Sequence, residues 1–270
     1  MTLPEYQRPP VAETVMGVQF RPLPKLQFAH LGAFWSSLGP DWPYVSDVAG
    51  LGQTIEPQGV EPSWIEGAAQ DMNAESPGAR LRAFNSKRDR LFQVENGWFV
   101  YNWRKNTPDA EYARYSTLRI EFDALVERFC QFLSERSLGT IEPNLWEIGY
   151  INFVVQGPLW KSARDWPRVL PHLLAQDIGA DAEHLQTVNG RWVYVLDGGR
   201  GRLQVAVEHG RSTGEPRQEL LVVRLTARGM LTGPTLGAAG AGLDLGHESI
   251  VRKFTELTSK EAREYWGYKS

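Results

Sequence analysis

RLFQVENGWFVYNWRK, residues Arg90 to Lys105, sets two short runs of β-branched and aromatic residues on either side of an Asn96-Gly97 pair. Asn-Gly is the dipeptide a tight two-residue hairpin turn prefers, so the spacing predicts strands at Arg90 to Glu95 and Trp98 to Lys105. A third strand is expected just before them, at Arg80 to Asn85. Downstream, Leu118, Phe122, Leu125, Phe129 and Phe132 recur every three or four residues, the period of an amphipathic helix, and Gly139 stands where a terminator belongs. Upstream, Thr14, Met16, Val18 and Phe20 alternate with Glu13, Val15, Gly17 and Gln19 in a first strand, which Pro22 and Pro24 end. A short helix follows over Lys25 to Leu38. The order is β-α-β-β-β-α, with one irregular stretch: residues 40–79 hold Pro40, Pro43, Pro57, Pro62 and Pro77 and show little periodicity beyond a short strand near Gln53 to Glu56. So long a segment inside a domain is usually a lid or a binding loop.

The second half follows the same order. Leu145 to Val155 reads as a strand, Ser162 to Leu174 as a helix broken by Pro167 and Pro171, and Arg191 to Leu196, Arg202 to Glu208 and Leu220 to Arg228 as three strands. Leu243 to Leu257 reads as a helix capped by Asp244, and a last helix starts at a Thr258, Glu261 capping box. Val18-Gln19-Phe20 matches Ile151-Asn152-Phe153, and Leu125 to Phe129 matches Ile250 to Phe254. The fold class expected is therefore α+β: tandem β-α-β-β-β-α units, 1–139 and 140–270, arising by internal duplication. The two sheets would join into one curved antiparallel sheet with helices on one face, by analogy with the saddle of TATA-binding proteins.

Composition narrows the function classes. The 270 residues are 42% hydrophobic and 23% charged, as in a globular protein, and no apolar run reaches the length of a membrane span. The start, MTLPEYQRPP, lacks the basic and apolar regions of a signal peptide. One cysteine, Cys130, leaves no partner for an internal disulfide, which suits a reducing compartment. A cytoplasmic protein without membrane contact is expected. Net charge is −3, and splitting the chain after Gly139 gives 14 basic against 17 acidic residues, then 15 against 15. Neither half has the basic excess of a generic nucleic-acid binder.

If helices cover one face of the sheet, strand alternation assigns the rest. Taking the more apolar set as helix-facing places Met16, Val18, Phe20, Phe99, Tyr101, Trp103, Ile151, Phe153, Leu221, Val223 and Leu225 in the core. Gln19, Asn102, Arg104, Asn152, Gln204, Arg224, Thr226 and Arg228 then line the open face. That set is polar, arginine-bearing and poor in carboxylates. Arginine forks and side-chain amides supply directed hydrogen bonds to an anionic or amide-rich partner, a protein, a peptide, a nucleotide or another polar or anionic ligand. Gln19, Asn102, Arg104, Asn152, Arg224, Thr226 and Arg228 are the candidate ligand-binding residues.

Other motifs carry less. The Gly-rich segment 229–243, most of whose glycines fall in TGPTLGAAGAGLD (Thr232 to Asp244), lacks the Gly-Lys-Ser/Thr ending of a phosphate loop and reads as a connector. His247, Glu248 and Asp244 could meet in space, yet Asp244 is more simply an N-cap, so no metal site and no cofactor are expected. Cys130 falls on the apolar side of its helix, as a buried small residue. No serine elbow, kinase loop or supported carboxylate pair is found.

PPVAETVMGVQF (Pro9 to Phe20), AHLGAFW (Ala29 to Trp35), YNWRK (Tyr101 to Lys105), EIGYINF (Glu147 to Phe153) and LDLGHESIVRKFTELT with the terminal Trp266-Gly267 resemble a sporadically distributed bacterial protein family of about this length. The resemblance runs nearly end to end and departs at Tyr268, where a basic residue is usual. It implies no activity, cofactor or catalytic residue. Function is therefore expected from the residues themselves: a non-enzymatic binding or adaptor protein acting through the open sheet face. The alternatives are an enzyme or sensor closing the 40–79 loop over a nucleotide or phosphorylated ligand, and nucleic-acid binding on the saddle.

Overall fold

The computed structural model describes residues 2–54, 79–107, 109–174, 185–212 and 216–269. A mixed α+β fold is built on one nine-stranded antiparallel sheet. In chain order its strands are β2 (Val11–Phe20), β3 (Tyr44–Ala49), β4 (Ala79–Phe84), β5 (Arg90–Glu95), β6 (Trp98–Arg104), β7 (Pro143–Val155), β8 (Asn189–Val195), β9 (Arg202–Arg211) and β10 (Glu219–Met230). A separate pair, β1 (Glu5–Tyr6) with β11 (Tyr268–Lys269), ties the two ends of the chain together.

The strand order is β3-β4-β5-β6-β2-β7-β10-β9-β8. Each half keeps its strands together, and the first strand of each, β2 and β7, pair antiparallel at the centre. Outward from this seam, β6 flanks β2 as β10 flanks β7, and the sheet is common to both halves. The first half carries one strand more than expected, because Tyr44 to Ala49 forms edge strand β3 where the proline-rich stretch reads as loop. Of the strand expected near Gln53 to Glu56, Gln53 and Thr54 are not in a strand, and the rest falls in residues 55–78, outside those described, as does Trp64. Trp42 docks the start of the stretch onto the body: its ring meets Phe92 edge-on at 4.9 Å and its carbonyl accepts from Trp35 Nε1.

The Asn96-Gly97 turn forms as predicted, with Gly97 at φ +128°. Asn96 also fastens the chain before helix α1 (Phe28–Ser37): its amide accepts from Leu23 N and donates to the carbonyls of Leu23 and Leu26. Helices α2 (Tyr115–Glu135) and α4 (Leu236–Leu257) pack on the same face of the sheet, with α3 (Pro171–Leu174) and α5 (Lys260–Tyr265) as short accessories. Phe34 of α1 and Phe129 of α2 meet at 4.9 Å over Phe92 and Phe99, which centres one core beneath the first half.

Three sequence expectations need correction. Segment 229–243 is no loop through its second part: α4 begins at Leu236 with Thr235 as N-cap, Thr235 Oγ1 accepting from Ala238 N at 3.1 Å. Its glycines are there for packing. A Cβ at Gly242 or Gly246 would run into the Trp146 ring, and one at Gly246 also into Ile148, so small residues let α4 lie close on β7. Likewise Ser259, one residue after Thr258, caps α5, accepting from Ala262 N. Finally, the expected helix over Ser162 to Leu174 is a 3-10 turn at Ala163–Arg168 followed by α3, because Pro167 and Pro171 each lack a donor for a continuous ladder.

Candidate functional site

Strand pairing fixes which residues share a face. Val18 pairs with Phe99 and Trp146, Met16 with Tyr101 and Ile148, and Thr14 with Trp103 and Tyr150, all toward the helices. By the same alternation Asn152 and Val154 of β7 face the helices, while Ile151 and Phe153 lie on the open face. The predicted register of β7 is therefore off by one. Taking Ile151 and Phe153 as the more apolar, helix-facing set inverts it, and the strand pairing gives the opposite parity. Asn152 is buried on the helix side, donating to Val223 O at 3.0 Å.

The other candidates do face away from the helices but divide into two groups. Gln19 and Asn102 are buried and engaged. Gln19 brackets Thr54 through both its N–H and its carbonyl and donates to Asn144 Oδ1. Asn102 bonds Glu13 and Gln93. Beside them Glu95 accepts from Leu51 N and Gly52 N, and Trp98 donates to Gly52 O, so residues 51–54 are pinned across this part of the face. Burial pushes the Glu95 carboxyl above its ordinary range. Arg104, Arg224, Thr226 and Arg228 remain nearer solvent. Each arginine has a carboxylate beside it: Glu13 at 3.6 Å from Arg104, Glu208 at 3.0 Å from Arg224, and Glu147 against Arg228. The expected shortage of carboxylates does not hold, because Glu13, Glu147 and Glu208 come from neighbouring strands onto the same face. On the same face Phe153 and Val155 of β7 and Val193 and Val195 of edge strand β8 are exposed.

On the opposite face, beside the β2–β7 seam, the chain forms a cavity of about 400 Å³. The N-terminal strap Leu3 to Pro9 roofs it, Tyr112 from the segment before α2 and Tyr115 from its first residue reach in, and Ile250, Val251 and Phe254 line it from α4. The strap is held by its strand pairing with β11, by Arg114 donating to Tyr6 O at 3.0 Å, and by the Tyr6 hydroxyl with Thr255 Oγ1 at 2.8 Å. Tyr150 and Asn152 of β7 bring polar groups to the lining, and the Tyr150 hydroxyl meets His247 Nδ1. The His247 ring stacks on Tyr115 at 3.9 Å and 8°, while the Tyr115 hydroxyl bonds Asp244 at 2.5 Å and Arg119 bonds the same carboxylate. One helix from each half thereby meets at the cavity.

Burial governs the protonation of this cluster. It holds His247 down at about 4, against the weaker pull of Asp244 and Glu248, and holds the Tyr112 and Tyr150 hydroxyls above their ordinary value. Near neutral pH the His247 imidazole and the Tyr112 and Tyr150 hydroxyls are therefore uncharged. No single stretch of sequence announces the site: its residues come from positions 3–11, 112–116, 150–152 and 247–254. The one signal was Asn152, a polar residue in an otherwise apolar alternation.

His247, Asp244 and Glu248 do not converge. They bond Tyr150, Tyr115 with Arg119, and Arg252 respectively, and among the described residues no group of three ligating side chains is placed to hold a metal ion. Nor is any helix of the described residues long and apolar enough to cross a membrane. No protein-family model, curated protein or solved structure matches the chain.

Proposed function

We propose that this is a non-catalytic binding protein whose ligand is a small molecule held in the cavity between the strap, α2 and α4. The observation that carries the reading is the cavity itself: about 400 Å³, lined by tyrosines, aliphatic residues and an uncharged histidine, with few polar groups. That is the make-up of a site where an apolar body gives affinity and a small number of hydrogen bonds give orientation. His247 and Asn152 fit a neutral hydrogen-bonding group, and Arg114 at the mouth fits an acidic end. His247, Tyr112 and Tyr150 are held neutral by burial, which suits recognition better than proton transfer. Anilinonaphthalene sulfonate, an aromatic body with one acid group, is the first probe. It should brighten with the wild-type protein and raise its melting temperature, while Val251→Trp, which fills the cavity, should abolish both effects and still melt cooperatively. Equal uptake by the two proteins would sink the reading.

A second reading, an adaptor working through the open sheet face, is favoured by Phe153, Val155, Val193 and Val195, exposed where no described helix packs. The arginine–glutamate pairs make a protein partner fit better than nucleic acid or a phosphorylated ligand, because each guanidinium is already neutralised beside a carboxylate. Phe153→Asp should abolish capture of such a partner and leave probe uptake by the cavity intact.

A further inference from the structure

We infer that strand β8 is a self-association edge, and that two copies of this chain pair through it, antiparallel, to continue the sheet across a two-fold axis. Among the described residues β8 has one neighbour, β9, and lies at the end of the nine-strand order. The backbone shows which of its groups are spent. Leu196 N donates to Gly201 O and Val188 O accepts from His209 N, so the even-numbered residues turn their backbone toward β9. By strand alternation Asn189, Arg191, Val193 and Val195 direct theirs outward. Those four residues are also the exposed ones, in a strictly alternating pattern.

Natural edge strands are blunted by charge, proline, a bulge or shortness. Over its seven residues, NGRWVYV, β8 has one charge, Arg191, no proline, and an unbroken register with β9. Arg191 is itself drawn sideways, donating to Gln204 Oε1 at 2.7 Å. The opposite edge, β3, is protected by contrast: Asp47 stands within it, and the Arg88 guanidinium sits 4.2 Å over the Tyr44 ring.

The strand is also self-complementary. A two-fold axis at Val193 sets Val193 against its own copy as a pair exchanging both backbone hydrogen bonds. It sets Trp192 against Tyr194 of the second copy, and Tyr194 against its Trp192, on the helix side, and Arg191 against Val195 on the open side. Aromatic cross-strand pairs are among the more stabilising, and no like charges fall opposite one another. An isologous contact of this kind closes at two copies.

Sedimentation of the full chain over a range of concentrations tests this. The expected result is a reversible dimer of the 30.5 kDa chain. Val193→Lys places two like charges across the central pair and should return a monomer that still unfolds cooperatively, at the melting temperature the wild type shows when diluted to monomer. Val193→Pro, which removes an outward donor, should do the same, and because it could also disturb folding the lysine variant decides. A monomer at every concentration, an assembly larger than a dimer, or a dimer that survives Val193→Lys would each overturn the inference.

Discussion

The hydroxyl of Tyr150, on the central strand β7, lies 2.8 Å from Nδ1 of His247 on α4. That contact and the stacking of Tyr115 place the imidazole where desolvation keeps it uncharged, and stability becomes pH-dependent as a result. In the unfolded chain this histidine takes up a proton near 6.5, in the folded protein only near 4. Between those values the unfolded state binds more protons, so stability is full above about pH 6.5 and is lost as the pH falls toward 4. At about 1.4 kcal/mol per pKa unit the loss is on the order of 3 kcal/mol. Urea melts of wild type and His247→Gln across this window check it: the variant should show a flatter profile, and parallel profiles would refute the assignment.

The glycines of α4 separate packing from propensity. Gly246→Ala gains roughly 1 kcal/mol of helix propensity but forces a methyl against Trp146 and Ile148, at a cost of about 1 to 3 kcal/mol. Net destabilisation is expected. Gly237→Ala, in the first turn with open space around it, should be neutral or stabilising by up to about 1 kcal/mol. Thermal melts of the two variants give opposite signs if close approach is what those residues serve.

On the open face the ion pairs differ in burial, and so should their worth. Arg224 and Glu208 are both more than two-fifths exposed, at 44% and 42%, and Arg224→Ala should change stability by less than about 1 kcal/mol. Arg228 and Glu147 are each 23% exposed, and Arg228→Ala leaves a carboxylate half-buried without that partner, costing about 1.5 to 3 kcal/mol. Chemical denaturation of the single variants, with Glu147→Gln added to Arg228→Ala as partial rescue, tests the ranking.

Tyr6 holds the roof of the cavity. Its ring lies 5.8 Å from Phe254 and 5.5 Å from Tyr268, and its hydroxyl bonds Thr255. Replacing it by alanine should free the strap, so that the amides of Gln7 and Arg8, which donate to Gly267 O and Trp266 O, exchange faster with deuterium. Amides in the β7–β10 pairing should stay protected. Unchanged exchange at Gln7 and Arg8 would mean that the strand pairing with β11 alone fixes the strap.

Much of the architecture is legible in the chain. The Asn96-Gly97 turn, the alternation of Met16, Val18 and Phe20, and the three-and-four spacing of Leu118 to Phe132 are local patterns, and local sterics and hydrophobic periodicity are enough to decide them. The order of elements in both halves follows from the same rules, and so does the single sheet with helices packed against it.

Four things needed the tertiary structure, each because distant contacts decide what local rules do not. The glycine-rich start of α4 has poor helix propensity and becomes helix because Trp146 and Ile148 reward close approach. The parity of β7 is masked by Asn152, a polar residue whose amide is satisfied by Val223 on the neighbouring strand and so can sit among apolar ones. The charge of the open face is set by glutamates on other strands than their arginines. The cavity is the extreme case, since residues 3 to 254 meet there only after the seam, the strap and two helices are in place. The sequence by itself determined the elements and their order. Which side chains meet, and therefore where a ligand fits, was decided by the pairing of β2 with β7 and by the helices laid across them.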